Sequence, residues 1–540
     1  MKHMPELVKQ WAQRLVRMAL LVVLFFAALS GTVRWQQRMD AQGCGRCDEV
    51  CASFVLAERC AQGAGFSITS GEHVLLLEDS YWRVLLGGLT RFTHQPAVSA
   101  YILGALCGFI TLWLGMRLTT RFGYHPVARW FFAFALLFSP GWLSSLVEGH
   151  STPLAAALVL WAVWSHVEWM ERRTTPLALP LAVILAFAVY VRLEFAWLWI
   201  VFVLHYLLNS WRAREPLTET SFLLLRGVAG ALLLLFLLLP LAAWHWPVLG
   251  WPPLRIPAAP LATDQQPVWQ LILAAIPKAY IRWEHSPYWS AWALLALALV
   301  GTAGLALRAW RYPESRSAFV IPLILVLMPL FYALTYPVTG WPSSEVVFAA
   351  FDPLAVLACA VAASRVPDWI ARLLRRRFFL HAAWLSALRV AVGLLLGIAV
   401  LLESIRWNVT WSAESHARMQ TRHALKELLA TAARDAQPPL VLTDEPGWIL
   451  WRTPASVADL SGRLMPDYIR HYAGHDSLEL YKLKKKIKAY PTAYAIMWNS
   501  TYTHLLEELG FKALPLPGAS TDPRWSPPRV YKLKHSPGAP

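Results

Sequence analysis

The run PLALPLAVILAFAVYVRLEFAWLWIVFVLHYLL, Pro176 to Leu208, decides the fold. As one helix it would extend about 50 Å at roughly 1.5 Å per residue, well past a hydrocarbon core of about 30 Å. Only Arg192 and Glu194 interrupt its apolar character. A charge inside such a run costs on the order of 2.5–3.5 kcal/mol unless it faces a partner or a wet cavity. The run therefore reads as two short helices, 176–190 and 193–208, broken at Arg192. Comparable apolar runs recur on both sides, at 15–33, 97–116, 127–147, 153–170, 221–244, 289–307, 318–336, 346–363 and 389–405. Together they predict a mainly α, polytopic transmembrane bundle of about eleven helices.

Composition agrees, since 57% of the 540 residues are hydrophobic and only 15% charged, far from a soluble globular protein. Arg and Lys alternate sides along the chain. If the N-terminus is cytoplasmic, one side collects Lys2, Lys9, Arg14 and Arg17, then Arg117, Arg121 and Arg129, and later Arg308, Arg311 and Arg316, while loops 148–152 and 337–345 hold none. The positive-inside rule then makes this a multi-pass protein of the cytoplasmic (inner) membrane, with residues 406–540 outside. The net charge of +16 reads as topology plus attraction to membrane lipids, and no nucleic-acid partner is expected. Four stretches follow. Residues 1–33 form an anchor helix, kept because Arg34 and Arg38 follow it without a small-residue cleavage site. Residues 34–96 form a first outer loop, 97–405 the helical core, and 406–540 a small extracytoplasmic α/β domain. Within the last, PLVLTDEPGWILWRTPASVADL reads as a strand, a turn and a helix over a second strand.

The first outer loop holds Cys44, Cys47, Cys51 and Cys60. Their spacing suits either a metal or disulfides, and an extracytoplasmic setting favours two disulfides of undetermined connectivity. In the same loop Asp48 and Glu49 put two carboxylates just beyond the first apolar segment. Their plain reading is a pair of solvated acids at a helix start, where negative charge suits the helix dipole.

The segment Asp48-Glu49-Val50-Cys51-Ala52-Ser53-Phe54, continued by Ala57 and Gly63-Ala64-Gly65-Phe66, resembles the opening of the outer loop in class C membrane glycosyltransferases, where Asp-Asp-Ala-Tyr-Ile-Ser-Phe leads to Gly-His-Gly. The cell-wall arabinofuranosyltransferase branch is the nearest. Gly71-Glu72-His73-Val74 is similar to its Asn-Pro-Gly-Glu-x-Val, Glu148-Gly149-His150-Ser151-Thr152-Pro153-Leu154 to its Ser-Gly-Met-Glu-Thr-Pro-Leu, and Val191-Arg192-Leu193-Glu194 to its Thr-Arg-Pro-Glu. The chain departs from the family at Cys51 for Tyr, Val55 for Arg and Ser151 for Glu. The first two remove a donor and a cation near the phosphate.

The resemblance implies transfer of a hexose or pentose from a polyprenyl-phosphate donor to an envelope glycan, lipid or protein acceptor, with inversion. Asp48 would be the base and Glu49 its neighbour, orienting the acceptor or ligating a divalent cation such as Mg or Mn. Arg192, Lys278 and Arg282 would bind the donor phosphate, with Glu148, His150 and Glu194 in acceptor or supporting roles. The plain readings are a snorkelling Arg192 countered by Glu194, headgroup contacts for Lys278 and Arg282 at i,i+4 spacing, and a structural His150. Two other functions stay open. A lipid-linked-sugar flippase or transporter also uses broken helices with intramembrane charge, and a degenerate paralogue would serve as an envelope-assembly scaffold. No phosphate-cradling G-x-x-x-x-G-K, H-E-x-x-H or G-x-S-x-G segment occurs.

Overall fold

A computed structural model of the chain describes residues 4–41, 48–65, 79–123, 126–172, 178–214, 289–339, 349–377, 419–434, 438–460, 477–498, 503–516 and 528–533, with single helical positions between 230 and 239, between 387 and 405, and at 417. The helical part begins with α1 (Met4–Ala41), α2 (Asp48–Ala61), α3 (Ser80–Thr93) and α4 (Pro96–Phe122). It continues through α5 (Pro126–Leu137), α6 (Pro140–Glu148), α7 (Thr152–Arg172), α8 (Ala178–Val191), α9 (Ala196–Ala213), α10 (Trp289–Arg311), α11 (Val320–Thr339) and α12 (Asp352–Arg377). Among the described residues, Ala19–Arg38, Pro96–Phe122, Leu294–Arg311 and Pro313–Phe331 are long and apolar enough to cross a membrane. Many side chains on these stretches face outward, including Leu20, Val23, Phe26, Ile102, Leu106, Leu299 and Val300, as expected where the solvent is lipid. Four such stretches fall short of the eleven expected runs, of which 221–244 and 389–405 lie mostly outside the described residues.

The long apolar run breaks where its charge sits. α8 stops at Val191, a single 3-10 turn spans Leu193–Phe195, and α9 starts at Ala196. The run 127–147, expected as one span, is two helices instead. Ser139 accepts a hydrogen bond from the Trp142 amide at 3.4 Å and Pro140 occupies the first position of α6, so a new helix is capped there at a bend of 51°. Glycines let helices meet at backbone distance. A Cβ at Gly104 would fall 1.9 Å from the Leu146 carbonyl oxygen, and one at Gly301 1.9 Å from that of Ala358, which fits α4 against α6 and α10 against α12.

The C-terminal part is a five-stranded mixed sheet. Its strands are β1 (Leu440–Thr443), β2 (Ser456–Asp459), β3 (Ala493–Met497), β4 (Phe511–Leu514) and β5 (Arg529–Leu533), in the order β2-β1-β3-β5-β4. β1 pairs in parallel with β2 and β3, while β5 runs antiparallel to β3 and β4. α13 (Pro446–Arg452) connects β1 to β2, giving the strand, helix and strand read from 439–460. Alternation sorts the strand side chains between two faces. Leu440, Leu442, Ala493, Ala495 and Tyr531 face a core with Leu483, Ile487 and Leu506, whereas Val441, Val457, Tyr494 and Ile496 face one with Leu425, Leu429, Trp448 and Ile449.

Cys51 of α2 belongs to that second core, fully buried. It carries a thiol, as does Cys60, so the disulfide expectation fails at both described members of the cluster. Geometry explains why they cannot pair with each other. Nine residues along one helix separate them by about 13 Å, whereas a disulfide needs Cα atoms within about 7 Å. Cys44 and Cys47 lie outside the described residues.

Candidate active site

Asp48 opens α2, and its surroundings come from the far end of the chain. The backbone N–H of Trp448, at the start of α13, donates to Asp48 Oδ1 at 2.8 Å. Gly447 makes this approach possible. A Cβ there would lie 2.2 Å from the Asp48 carbonyl oxygen and 2.6 Å from the Ala52 nitrogen, so α13 rests directly on the backbone of α2. Asp48 is thereby buried. The C-terminal ends of parallel strands next to a point where strand order reverses are the usual ligand edge of such sheets. Here Glu445 follows β1 and Asp459 ends β2 at that edge, close enough for both charges to act on Asp48. Arg422, itself buried, pairs with Glu445 at 3.8 Å and lies over the Trp448 ring.

Burial pushes the Asp48 carboxyl well above the usual carboxylate range. The Glu445 charge adds to the rise, the Trp448 N–H and Arg422 oppose it, and Asp459 adds again. A carboxyl shifted upward in this way binds a proton more readily than an ordinary carboxylate. Glu49 takes the second position of the same helix. A divalent cation fits poorly at Asp48, because an N–H already points at one carboxylate oxygen and a guanidinium contributes positive charge beside it. Among the described residues no three His, Cys, Asp or Glu side chains are grouped to hold a metal.

The other expected residues gather along the same helix. α2 lies against the loop after α6, where Gly149 at φ +100° brings its backbone close to Val50 and Phe54. Trp82 fixes that loop by donating from Nε1 to the Gly149 carbonyl at 2.9 Å. Glu148 and His150 flank the glycine and pair with each other at 3.2 Å. Directly after them, the Ser151 and Thr152 hydroxyls accept from the Arg192 guanidinium at 3.3 and 3.5 Å. Glu194 feels the charges of both Arg192 and Asp79.

α3 ties this cluster to α2. Its first turn docks on the end of α8, with the Asp79 amide donating to Val191 O at 3.0 Å and Ser80 Oγ to Tyr190 O at 2.7 Å. One turn on, buried Arg83 donates from Nε to Ser53 Oγ of α2 at 3.3 Å. Glu148, His150, Arg192 and Glu194 are thus assembled at one end of the bundle. Asp48 sits at the tip of α2 under the sheet, and Lys278 and Arg282 lie outside the described residues. Sequence reasoning missed Arg83, Arg422, Glu445, Asp459 and Trp448. The TDEP turn after the expected strand 440–443 was a visible signal for Glu445, while Arg83 sits in a segment whose helical pattern was not read.

No protein-family model matches the chain, and no curated protein matches its sequence. Solved structures do match. ArnT from Cupriavidus metallidurans bound to undecaprenyl phosphate aligns over 98% of this chain and 99% of its own, with a TM-score of 0.53 and 15% identity. The apo state of the same protein aligns over 97% and 98%, with a TM-score of 0.50 and 16% identity. AglB of Archaeoglobus fulgidus, in complex with an inhibitory peptide and a dolichol-phosphate, covers 89% of this chain and 70% of its own at 12% identity and a TM-score of 0.49. The chain shares the fold of the class C membrane glycosyltransferases, and it is a membrane protein.

Proposed function

We propose that the chain transfers a sugar from a polyprenyl-phosphate donor to an envelope glycan, lipid or protein acceptor at the outer face of the cytoplasmic membrane. The observation that carries this reading is the buried Asp48 carboxyl, raised in proton affinity, at the head of the helix that also contacts the Glu148–Arg192 cluster. The fold shared with a protein crystallised with undecaprenyl phosphate supports the choice of donor class.

In this reading the acceptor hydroxyl attacks the anomeric carbon and its proton passes to Asp48. The bond from that carbon to the donor phosphate oxygen breaks, the electron pair leaves with the polyprenyl phosphate, and one displacement inverts the centre. Arg192, held by Ser151 and Thr152, neutralises the departing phosphate. Arg83 beside Ser53 supplies a second buried cation on the same helix. It stands in for the family arginine that Val55 replaces. Glu49 would orient the acceptor, and Lys278 and Arg282 would add to the donor side.

A second reading has its own observation. The Trp448 N–H occupies the very carboxylate that must receive the proton, which suits a degenerate paralogue acting as a scaffold. The deciding experiment is transfer of radiolabelled sugar from a panel of polyprenyl-phosphate donors by purified wild type, Asp48→Asn and Glu49→Gln. Transfer that is lost in Asp48→Asn supports the enzyme and its base. No transfer from folded wild type with any donor favours the scaffold.

A further inference from the structure

The short helix that covers Asp48 is not capped by its own residues. Glu445 precedes α13, Pro446 takes its first position and Trp448 its third, where a backbone N–H has no partner inside the helix. The side chain just before a helix ordinarily accepts from this N–H, and the Glu445 side chain does not. Asp48 Oδ1 takes the bond instead, at 2.8 Å, from 400 residues away.

The Glu445 carboxylate is turned to Arg422, with Oε2 3.8 Å from the Nη2 nitrogen. Arg422 stands on the helical stretch 419–432, one turn before Leu425. Along that stretch Leu425, Leu429 and Ala432 pack in the core that holds Trp448 and Ile449. The arginine enters the same side of the sheet and is 2% exposed. Its guanidinium carbon lies 5.4 Å from the centre of the Trp448 ring, within the roughly 6 Å reach of a cation over an aromatic face. A cation so deeply buried needs an anion beside it, and Glu445 supplies one. One side chain therefore holds both the carboxylate that can compete for the Trp448 N–H and the ring of the residue that donates it.

Competition follows from the local geometry. The Glu445 backbone is fixed by its N–H donating to Thr443 Oγ1 at 3.1 Å, so the side chain alone has to rotate to reach its own helix. That side chain is 32% exposed, which leaves room for the rotation. Asp48 already feels the charges of Glu445 and of Asp459 at the end of β2, and Arg422 offsets them. Without the guanidinium, two carboxylates meet one N–H. The bond to Asp48 is the one that weakens, because its carboxylate is the buried one and faces like charge.

We propose that Arg422 is a positioning residue for the transfer reaction: by holding the Glu445 carboxylate and the Trp448 ring, it reserves the Trp448 N–H for Asp48 Oδ1 and so leaves Oδ2 to meet the acceptor hydroxyl. This role rests on the reading of Asp48 as the base. Arg422 acts through Glu445 and Trp448 and not on the reacting atoms.

The test uses the purified full chain in detergent and reads two quantities, amide exchange at Trp448 and the steady-state constants of sugar transfer from a polyprenyl-phosphate donor. Arg422→Gln is expected to quicken exchange at Trp448 about tenfold, while the β1 and β3 amides stay within about twofold of wild type. The same variant should lower kcat about tenfold and leave the donor KM within about twofold. Adding Glu445→Ala to Arg422→Gln removes the competing carboxylate and is expected to restore most of both. Arg422→Lys keeps the charge without the flat group over the ring, so it should quicken exchange a few-fold, and it carries the test if Arg422→Gln fails to fold. Exchange at Trp448 that stays at the wild-type rate overturns the proposal. So does exchange that quickens equally across β1 and β3, the mark of an arginine that only holds the sheet. A double variant no better than Arg422→Gln, or a kcat that holds while exchange quickens, overturns it as well. A wild type that transfers no sugar from any donor removes the reading of Asp48 as base, and exchange at Trp448 still decides whether Arg422 secures the contact.

Discussion

Asp48 and Arg192 are both buried, and they are held by opposite means. Arg192 sits where two helices of one run part, gripped by hydroxyls of the next loop, all within the bundle. Asp48 is covered by an element 400 residues away, through one backbone N–H and the bare backbone of a glycine. A cation fixed by the bundle moves only if the bundle moves. The carboxylate is covered by α13, whose Trp448 shares a core with Cys51 of the same helix as Asp48. One contact is local to the bundle and the other joins distant parts of the chain, and four experiments bear on the difference.

The largest effect is expected at Asp48. Asp48→Asn keeps an oxygen for the Trp448 N–H but removes the base, so transfer should fall about 10²–10⁴-fold. Its stability should move the other way. The folded-state proton affinity of Asp48 lies above the unfolded value, so the folded chain binds the proton more readily. Wild type therefore loses stability as pH rises from the ordinary carboxylate value through the raised one. The Tm of Asp48→Asn minus that of wild type should thus be greater at pH 8 than at pH 4. A difference that stays flat with pH would mean Asp48 is already solvated and the cover is open.

Arg192→Gln comes next. Loss of a charge-assisted contact of about 1.5–3 kcal/mol should raise the donor KM roughly tenfold or more, with kcat changed less. An unchanged KM would remove Arg192 from the donor side and leave it as a structural cation. Gly447→Ala probes the cover on Asp48 itself. The added methyl must push α13 from α2, costing about 1–3 kcal/mol in thermal unfolding, and amide exchange at Trp448 should quicken. Transfer that survives this loss of stability would support a movable cover; transfer that falls with it would tie activity to the closed contact. The smallest effect belongs to Cys60→Ala. As a half-buried thiol outside any disulfide, it should change stability by no more than about 0.5 kcal/mol, and Tm should be indifferent to reductant.

What the sequence revealed depended on range. The break at Arg192 was legible because a charge in an apolar run has few places to go, and the order of strand, helix and strand after Pro439 was legible from local alternation. The bend at Pro140 was equally local, since Ser139-Pro140 is a helix-start signal, but a long apolar window concealed it. Cys51 was misassigned by counting cysteines. Its place on α2, one turn before Phe54 and on the face that meets Trp448, is that of a small hydrophobe. The cover on Asp48 could not be read at all, because nothing near residue 48 encodes a partner at 448.

That distance also orders events during synthesis. At about 5–20 residues per second, roughly 20–80 s separate the emergence of Asp48 from that of Trp448. Throughout that interval the bundle can assemble while the carboxylate stands open, and closure belongs to the late long-range contacts of this end, with residues of β3 and β5 still to join the same core. A chain that ends before residue 448 lacks the N–H and the glycine backbone that cover this acid.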